Sequence, residues 1–179
     1  LAAQRGARLV ANEVAPHRAR LVRQALRAVP DGVVEDVRTG DGRDLGSLEP
    51  GGFDRVMVDA PCTGLGALRR RPESRWRRTP ADLAHLTTLQ RELLGSALDA
   101  VRVGGVVSYV TCSPHLAETR LVVDDVLRRR DDVERLDARA ALGAATGRDV
   151  PLADRPDVQL WPHVHGTDAM HLTLLRRTA

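Results

Sequence analysis

Two cysteines stand out in a chain of 179 residues, Cys62 in Asp59-Ala-Pro-Cys-Thr-Gly and Cys112 in Thr111-Cys-Ser-Pro. Each follows an apolar run and sits beside proline and small polar residues, which suits an exposed turn. The competing reading of any lone cysteine is a buried small hydrophobe. A thiol is a strong nucleophile only as its thiolate, which nearby positive charge or a helix N-terminus promotes. Cys112 precedes an expected helix start, so a helix dipole is expected to act on it.

Three acids carry further chemistry. Asp59 closes an apolar strand just before Pro61, a place that packing explains poorly. Glu13 ends another strand, where a carboxylate serves as partner for a ribose diol about 20 residues after a glycine-rich loop. That loop would lie ahead of Leu1, and Glu13 reads otherwise as an ordinary surface acid. Asp41, between Gly40 and Gly42, is most simply a turn residue.

Basic charge is local. All 27 basic residues are arginine, and six fall between Arg69 and Arg78, with only Glu73 against them. The total net charge is +3, so the rest of the chain is slightly acidic. Arg69, Arg70, Arg71, Arg75, Arg77 and Arg78, with Trp76 as a stacking residue, form a candidate RNA-contacting patch; a solvated loop is the alternative. His115, His163 and His165 match no metal-ligand spacing with the cysteines, so no metal is expected.

These residues need elements to hold them. Strand-like segments are expected at Ala7–Val14, Val33–Val37, Phe53–Asp59, Val106–Cys112, Val133–Leu136 and His171–Arg177. Helical spacing covers Pro16–Val29, the leucines from Leu83 to Leu98, and the stretch from Ser113-Pro114 to about Arg130. Residues 139–158 read as a loop, and Trp161-Pro-His-Val-His as a packed turn. Strands alternating with helices predict an α/β fold with a mostly parallel sheet and helices on both faces. Ligands of such sheets bind at the carboxyl ends of strands, where Glu13, Asp41, Asp59 and Cys112 all fall, so all four are expected on one rim.

Length suits one domain, with 42% hydrophobic and 28% charged residues arguing against disorder. No run approaches the roughly 18 apolar residues of a membrane span. No signal peptide is read at the start, and two cysteines are too few for a disulfide scaffold, which together lead to a cytoplasmic expectation.

The sequence resembles the catalytic domain of the RsmB/Sun (Fmu) family of RNA cytosine-C5 methyltransferases. The resemblance rests on Asp59-Ala-Pro-Cys-Thr-Gly, Thr111-Cys-Ser, Arg70-Arg-Pro-Glu-Ser-Arg-Trp, Gly40-Asp-Gly-Arg and the closing Leu160-Trp-Pro-His…His-Gly-Thr-Asp, and runs from about residue 7 to the C-terminus. It implies a Rossmann-like class I methyltransferase fold with S-adenosylmethionine as cofactor. Residues 1–179 would then be a catalytic domain without the family's glycine-rich cofactor loop and N-terminal RNA-binding domain. The resemblance gives Glu13 to the ribose hydroxyls, Asp41 to the adenine side, and Asp59 to the cofactor's methionine end and the target base. Cys112 becomes the nucleophile and Cys62 the residue that assists its release. One departure is Asp168-Ala-Met-His where the family has an Asp-Gly-Phe-Phe-like sequence.

The implied partner is RNA, with small-subunit ribosomal RNA as leading substrate and transfer RNA as the alternative. Two readings from other classes stand beside it. One is a catalytically silent RNA-binding fragment, and the other a thiol redox protein, although Cys62 and Cys112 form no Cys-x-x-Cys.

Overall fold

In the computed structural model, which describes residues 6–179, the chain folds as two compact units that meet in sequence at Leu45/Gly46. The first contains strand β1 (Leu9–Glu13), helix α1 (Pro16–Leu26) and strand β2 (Val34–Thr39). Pro16 opens α1, where its missing N–H costs nothing. β1 and β2 pair in parallel, with Glu13 opposite Thr39.

After a short helical turn α2 (Leu45–Leu48), the second unit is built on β3 (Phe53–Asp59), β4 (Val101–Thr111), β5 (Val133–Leu136), β6 (Val158–Gln159) and β7 (His171–Arg177). The path is β3-β4-β7-β5, with β6 added to β7. β3 and β4 are parallel, whereas β7 runs antiparallel to β4, β5 and β6. The expected mostly parallel sheet is therefore a mixed one, because the C-terminal strand enters against its neighbours. Helices cover both faces, the α/β arrangement that the resemblance to class I methyltransferases leads one to expect.

The 21-residue helix α4 (Pro80–Ala100) is started by its own residues. The Asp82 carboxylate accepts from the Thr79 backbone N–H at 2.7 Å and from its hydroxyl at 2.9 Å, tying down the first turn. Leu86, Gln90, Leu94, Ala97 and Leu98 then fall on its buried face. Leu94 and Leu98 join Val101, Val107 and Tyr109 of β4, Val122 and Val123 of α5 (Arg120–Leu127), and Leu175 of β7 in a core that excludes solvent.

The bounds of further elements differ from expectation. β4 starts at Val101 rather than Val106, because Gly104 and Gly105 form an irregularity within the strand: Phe53 pairs with Val101 and the ladder resumes at Arg55 and Val106. The segment expected as a loop at 139–158 holds most of α6 (Ala138–Thr146) and also β6. Asp137 caps α6 by accepting from Arg139 and Ala140, Gly147 ends it in the left-handed region, and the alanines between favour helix. The helix expected from Ser113 begins only at Arg120, after a tight turn over Leu116–Glu118.

Two short helices complete the chain: α3 (Ser74–Arg77) within the arginine segment, and α7 (Pro162–His165) where a turn was expected. No helix among the described residues is long and apolar enough to cross a membrane.

Candidate active site

The first unit brings Glu13 and Asp41 to the carboxyl ends of its parallel pair. The Gly40 N–H donates to the Glu13 carbonyl at 3.3 Å, so Asp41 follows directly beside the end of β1. Glu13 Oε1 accepts from the Ala15 N–H and from Arg18, each at 2.8 Å. Asp41 is committed locally: Oδ1 accepts from the Arg43 N–H at 2.9 Å, and both oxygens meet the Arg43 guanidinium. That side-chain contact holds the Asp41 carboxyl below its usual range.

In the second unit the parallel register does the placing. Asp59 lies opposite Val110, and the Ala60 N–H donates to the Val110 carbonyl at 2.9 Å. The chain leaves both strands at this level and folds its two loops together. Cys62 Sγ and Cys112 Sγ stand 3.3 Å apart, both half-buried, although 50 residues separate them. Asp59 is exposed, and its charge opposes ionisation of Cys112.

One thiol of the pair is ready to ionise and the other is not. The hydrogen bond from Cys62 brings the Cys112 thiol down to about 7, against burial and the carboxylates of Asp59 and Asp168. Cys62 moves strongly upward, because its proton is held between the two sulfurs and its site is buried. The expected helix dipole is not the cause: α5 starts eight residues after Cys112, too far for a terminus effect confined to one turn. The positive end that favours the thiolate is a neighbouring S–H.

Several groups around the thiols escaped sequence reasoning. Glu118 is fully buried. Its Oε1 accepts from the Thr63 N–H at 2.7 Å and Gln90 Nε2 at 3.3 Å, and its Oε2 from Thr63 Oγ1 at 2.5 Å and Ser113 Oγ at 2.6 Å. Gln90 Nε2 also donates to the Pro61 carbonyl at 2.8 Å. An acid six residues after Cys112 reads in sequence as surface, and no local signal marks it as buried.

Asp168 is the second such group. Its Oδ1 pairs with Arg69 Nε at 2.7 Å and its Oδ2 with Arg70, whose Nε lies at 2.8 Å. These guanidiniums, Arg70 first, hold the Asp168 carboxyl below its usual range.

The arginine segment thus divides. Arg69 and Arg70 are engaged with Asp168, and Arg78 Nε donates to the Thr63 carbonyl at 3.3 Å. Arg75 stands 5.8 Å from the ring centre of Trp76, which is 76% exposed. The side chains of Arg71 and Arg77 reach into solvent. His115 Nδ1 accepts from the Ala117 N–H, and His165 bonds to the backbone of Trp161 and Pro151. Among the described residues no three His, Cys, Asp or Glu side chains are arranged to hold a metal ion.

A nucleophile-ready thiol with a proton-bearing neighbour, at the carboxyl ends of parallel strands, suits covalent attack on an electrophilic ring carbon. Comparison with known proteins gives a methyltransferase family. A protein of Mycobacterium tuberculosis named as a methyltransferase is 57% identical over 177 residues, covering 99% of this chain and 36% of that protein. Ribosomal RNA small subunit methyltransferase B of Pectobacterium carotovorum is 35% identical over 74% of this chain and 28% of its own length. The mitochondrial tRNA (cytosine(34)-C(5))-methyltransferase of Danio rerio is 39% identical over 69% of this chain and 35% of its own.

The chain therefore spans about a third of the length of these relatives. Among solved structures, a methyltransferase homolog from Pyrococcus horikoshii superposes with a TM-score of 0.71 at 27% identity, over 95% of this chain and 53% of that one. The profile of the family described as 16S rRNA methyltransferase RsmB/F matches residues 1–176, and the chain belongs to that family.

Proposed function

We propose that this chain carries the catalytic centre of an RNA cytosine-C5 methyltransferase that uses S-adenosylmethionine and acts on small-subunit ribosomal RNA through a covalent adduct at Cys112. The observation that carries the reading is the thiol pair itself, Cys62 Sγ and Cys112 Sγ 3.3 Å apart just past the ends of the parallel strands β3 and β4, a contact that lowers the Cys112 thiol and raises the Cys62 thiol.

The residues fit the cofactor. Glu13 Oε1 is taken by Ala15 and Arg18, and Oε2 keeps lone pairs for a ribose diol. Asp41 reaches the adenine side only by sharing its oxygens with Arg43. When bound, S-adenosylmethionine supplies an electrophilic methyl group.

The chain's own residues explain why cytosine C5 accepts it. C5 is a poor nucleophile in the intact ring. Addition of the Cys112 thiolate to C6 forms an S–C6 bond and shifts the ring electrons toward C5, dividing one hard step into two easier ones. Asp59 accepts a hydrogen bond from the base edge as this charge moves. After C5 is methylated its proton passes to solvent water, the C5–H electrons reform the C5–C6 double bond, and the S–C6 bond breaks with its electron pair returning to the Cys112 sulfur. Cys62, by donating its hydrogen bond to the departing Cys112 sulfur, stabilises the expelled thiolate.

The target base must leave its stack to meet the thiol, which suits looped RNA. Arg71, Arg75, Trp76 and Arg77 supply phosphate and stacking contacts, while Arg69, Arg70 and Arg78 serve RNA only through donors left over from their protein contacts. The ribosomal assignment draws on the family description and the Pectobacterium relative; the Danio relative, named for a tRNA, supports transfer RNA as the second reading.

The test is trapping on a denaturing gel with the intact protein, S-adenosylmethionine, and ribosomal or transfer RNA. Cys62→Ala is expected to accumulate an RNA–protein adduct that disappears when Cys112→Ala is added. Normal turnover by Cys112→Ala would overturn the mechanism. Salt-sensitive RNA binding with neither adduct nor turnover would leave a silent RNA-binding protein instead.

A further inference from the structure

We propose that Glu118 is a positioning residue that sets the separation of the two thiols by gripping a chain neighbour of each. The inference rests on the reading of Cys112 as nucleophile and Cys62 as its partner. Thr63, next to Cys62, gives Glu118 both its backbone N–H and its hydroxyl, at 2.7 and 2.5 Å. Ser113, next to Cys112, gives its hydroxyl at 2.6 Å. On the other side of Cys62, the Pro61 carbonyl is held by Gln90, which also reaches Glu118. Both cysteine loops are thus fastened to one buried carboxylate.

Four donors converge on Glu118 and no acceptor does, so the site asks for two acceptor oxygens. A glutamine offers one. Its oxygen must face the Thr63 N–H, which cannot reverse, and its NH2 then meets the Thr63 and Ser113 hydroxyls. Ser113 Oγ already accepts from the His115 N–H at 3.1 Å, so its proton would lose its acceptor. The Tyr109 hydroxyl, donating to the Glu118 carbonyl at 2.8 Å, anchors the backbone of the cradle to β4. The same two loops also meet through the backbone, where the Gly66 N–H donates to the Cys112 carbonyl at 2.9 Å, so Glu118 governs the side of the contact that carries Thr63 and Ser113.

The consequence falls on the thiols. The S–H to sulfur contact depends on where the two loops sit, so loosening Glu118 lengthens it and leaves the Cys112 thiolate without its donor. The charged groups facing the pair are Asp59 and Asp168, which oppose ionisation of Cys112, Arg70, which lies near enough to feel the Cys112 charge, and Glu118 itself, which acts on Cys62.

The experiment measures iodoacetamide alkylation of Cys112 against pH in the intact protein, with peptide mass spectrometry separating the two cysteines, and thermal melting alongside. The wild-type midpoint is expected at about 7. Glu118→Gln should raise it by about one unit, leaving roughly fivefold less thiolate at pH 7. A folded Glu118→Gln with an unmoved midpoint, even with a lower melting temperature, would overturn the proposal and leave Glu118 structural only. Where Glu118→Gln does not melt cooperatively, Ser113→Ala decides: it removes one oxygen from the cradle, should shift the midpoint the same way, and overturns the proposal if it does not. This readout needs neither RNA nor cofactor. A shifted midpoint with no methylation would remove the proposed function and leave the positioning role standing.

Discussion

Gly66 and Cys112 are in backbone contact: the Gly66 N–H donates to the Cys112 carbonyl at 2.9 Å, and a Cβ at position 66 would lie 2.7 Å from that oxygen. On its other side the same glycine accepts from the Ala169 N–H at 2.9 Å. Gly66 therefore holds the loop after β3, the loop after β4 and the segment before β7 together. Asp168, clamped by Arg69 and Arg70, precedes Ala169, so the arginine segment is fastened next to the same place.

This contact predicts that Gly66→Ala is much worse than Gly64→Ala, although the two glycines are two residues apart. A Cβ on Gly66 would meet the Ala169 carbonyl as well as Cys112, and backbone atoms cannot move aside cheaply. The expected cost is about 2–3 kcal/mol, the upper part of the range for core overpacking. Gly64 has a φ of +74° with open space around its Cβ position, so alanine there meets only the dihedral penalty of about 1 kcal/mol. Urea unfolding of both variants checks the order, and equal destabilisation would refute the steric account.

The hydrogen bond from Cys62 is the largest influence lowering Cys112, and this separates two substitutions of Cys62. Cys62→Ser keeps a donor and should hold the Cys112 midpoint near its wild-type position. Cys62→Ala removes the donor, and the midpoint should climb toward the ordinary thiol value of about 8.5. Alkylation of Cys112 at pH 7 should then be slowest in the alanine variant. The same midpoint in both variants would mean that something other than the neighbouring S–H ionises Cys112.

The sequence reading succeeds where the signal is local. Phe53–Asp59, Val133–Leu136 and His171–Arg177 are strands with the expected bounds, and the leucines from Leu83 to Leu98 lie on one helix. Cys62 and Cys112 could be placed just past strands, but their approach to 3.3 Å depends on the pairing of Asp59 with Val110. Glu118 is harder still. Its burial depends on Thr63 and Gln90, 55 and 28 residues away, and neither sequence neighbourhood anticipates the other. The charge of the arginine run is legible, but its division is not, because Asp168 lies 99 residues from Arg69. Helix α6 is legible from Asp137 and Gly147 at its ends, although the Ala, Gly, Asp and Pro content of 139–158 reads as a loop.

That division predicts two classes of arginine. Arg71→Ala and Arg77→Ala should weaken RNA binding and lower the salt-dependence slope by about 0.7 for each lost phosphate contact with single-stranded RNA. Neither should move stability by more than about 0.5 kcal/mol, since both side chains are exposed. Arg70→Ala removes a partner of Asp168, which is only 7% exposed, and should lower the melting temperature as well. Filter binding at several salt concentrations, paired with thermal melts, separates the classes. A salt slope unchanged by both Arg71→Ala and Arg77→Ala would take these residues out of the RNA interface.

His171 sets an acid limit on the fold. It is 1% exposed at the start of β7, its Nε2 bonded to Thr173 Oγ1 at 3.0 Å and its ring edge-on to Tyr109. Among the described residues its Nδ1 has no hydrogen-bond partner, and Asp157 approaches only to 3.9 Å. Burial brings its pKa down to about 4 from 6.5, more than the nearby Asp157 charge restores. The folded protein therefore keeps His171 neutral at pH values where the unfolded chain takes up a proton. Stability from this source is complete above pH 6.5 and declines as pH falls toward 4, by about 3 kcal/mol in all at 1.36 kcal/mol per pH unit. His171→Gln, which carries no titrating proton, should start less stable at pH 7 through lost packing and then lose less on acidification. Urea midpoints at pH 7 and pH 4.5 for both proteins give the comparison. Parallel losses in the two would mean that the acid sensitivity resides in the carboxylates.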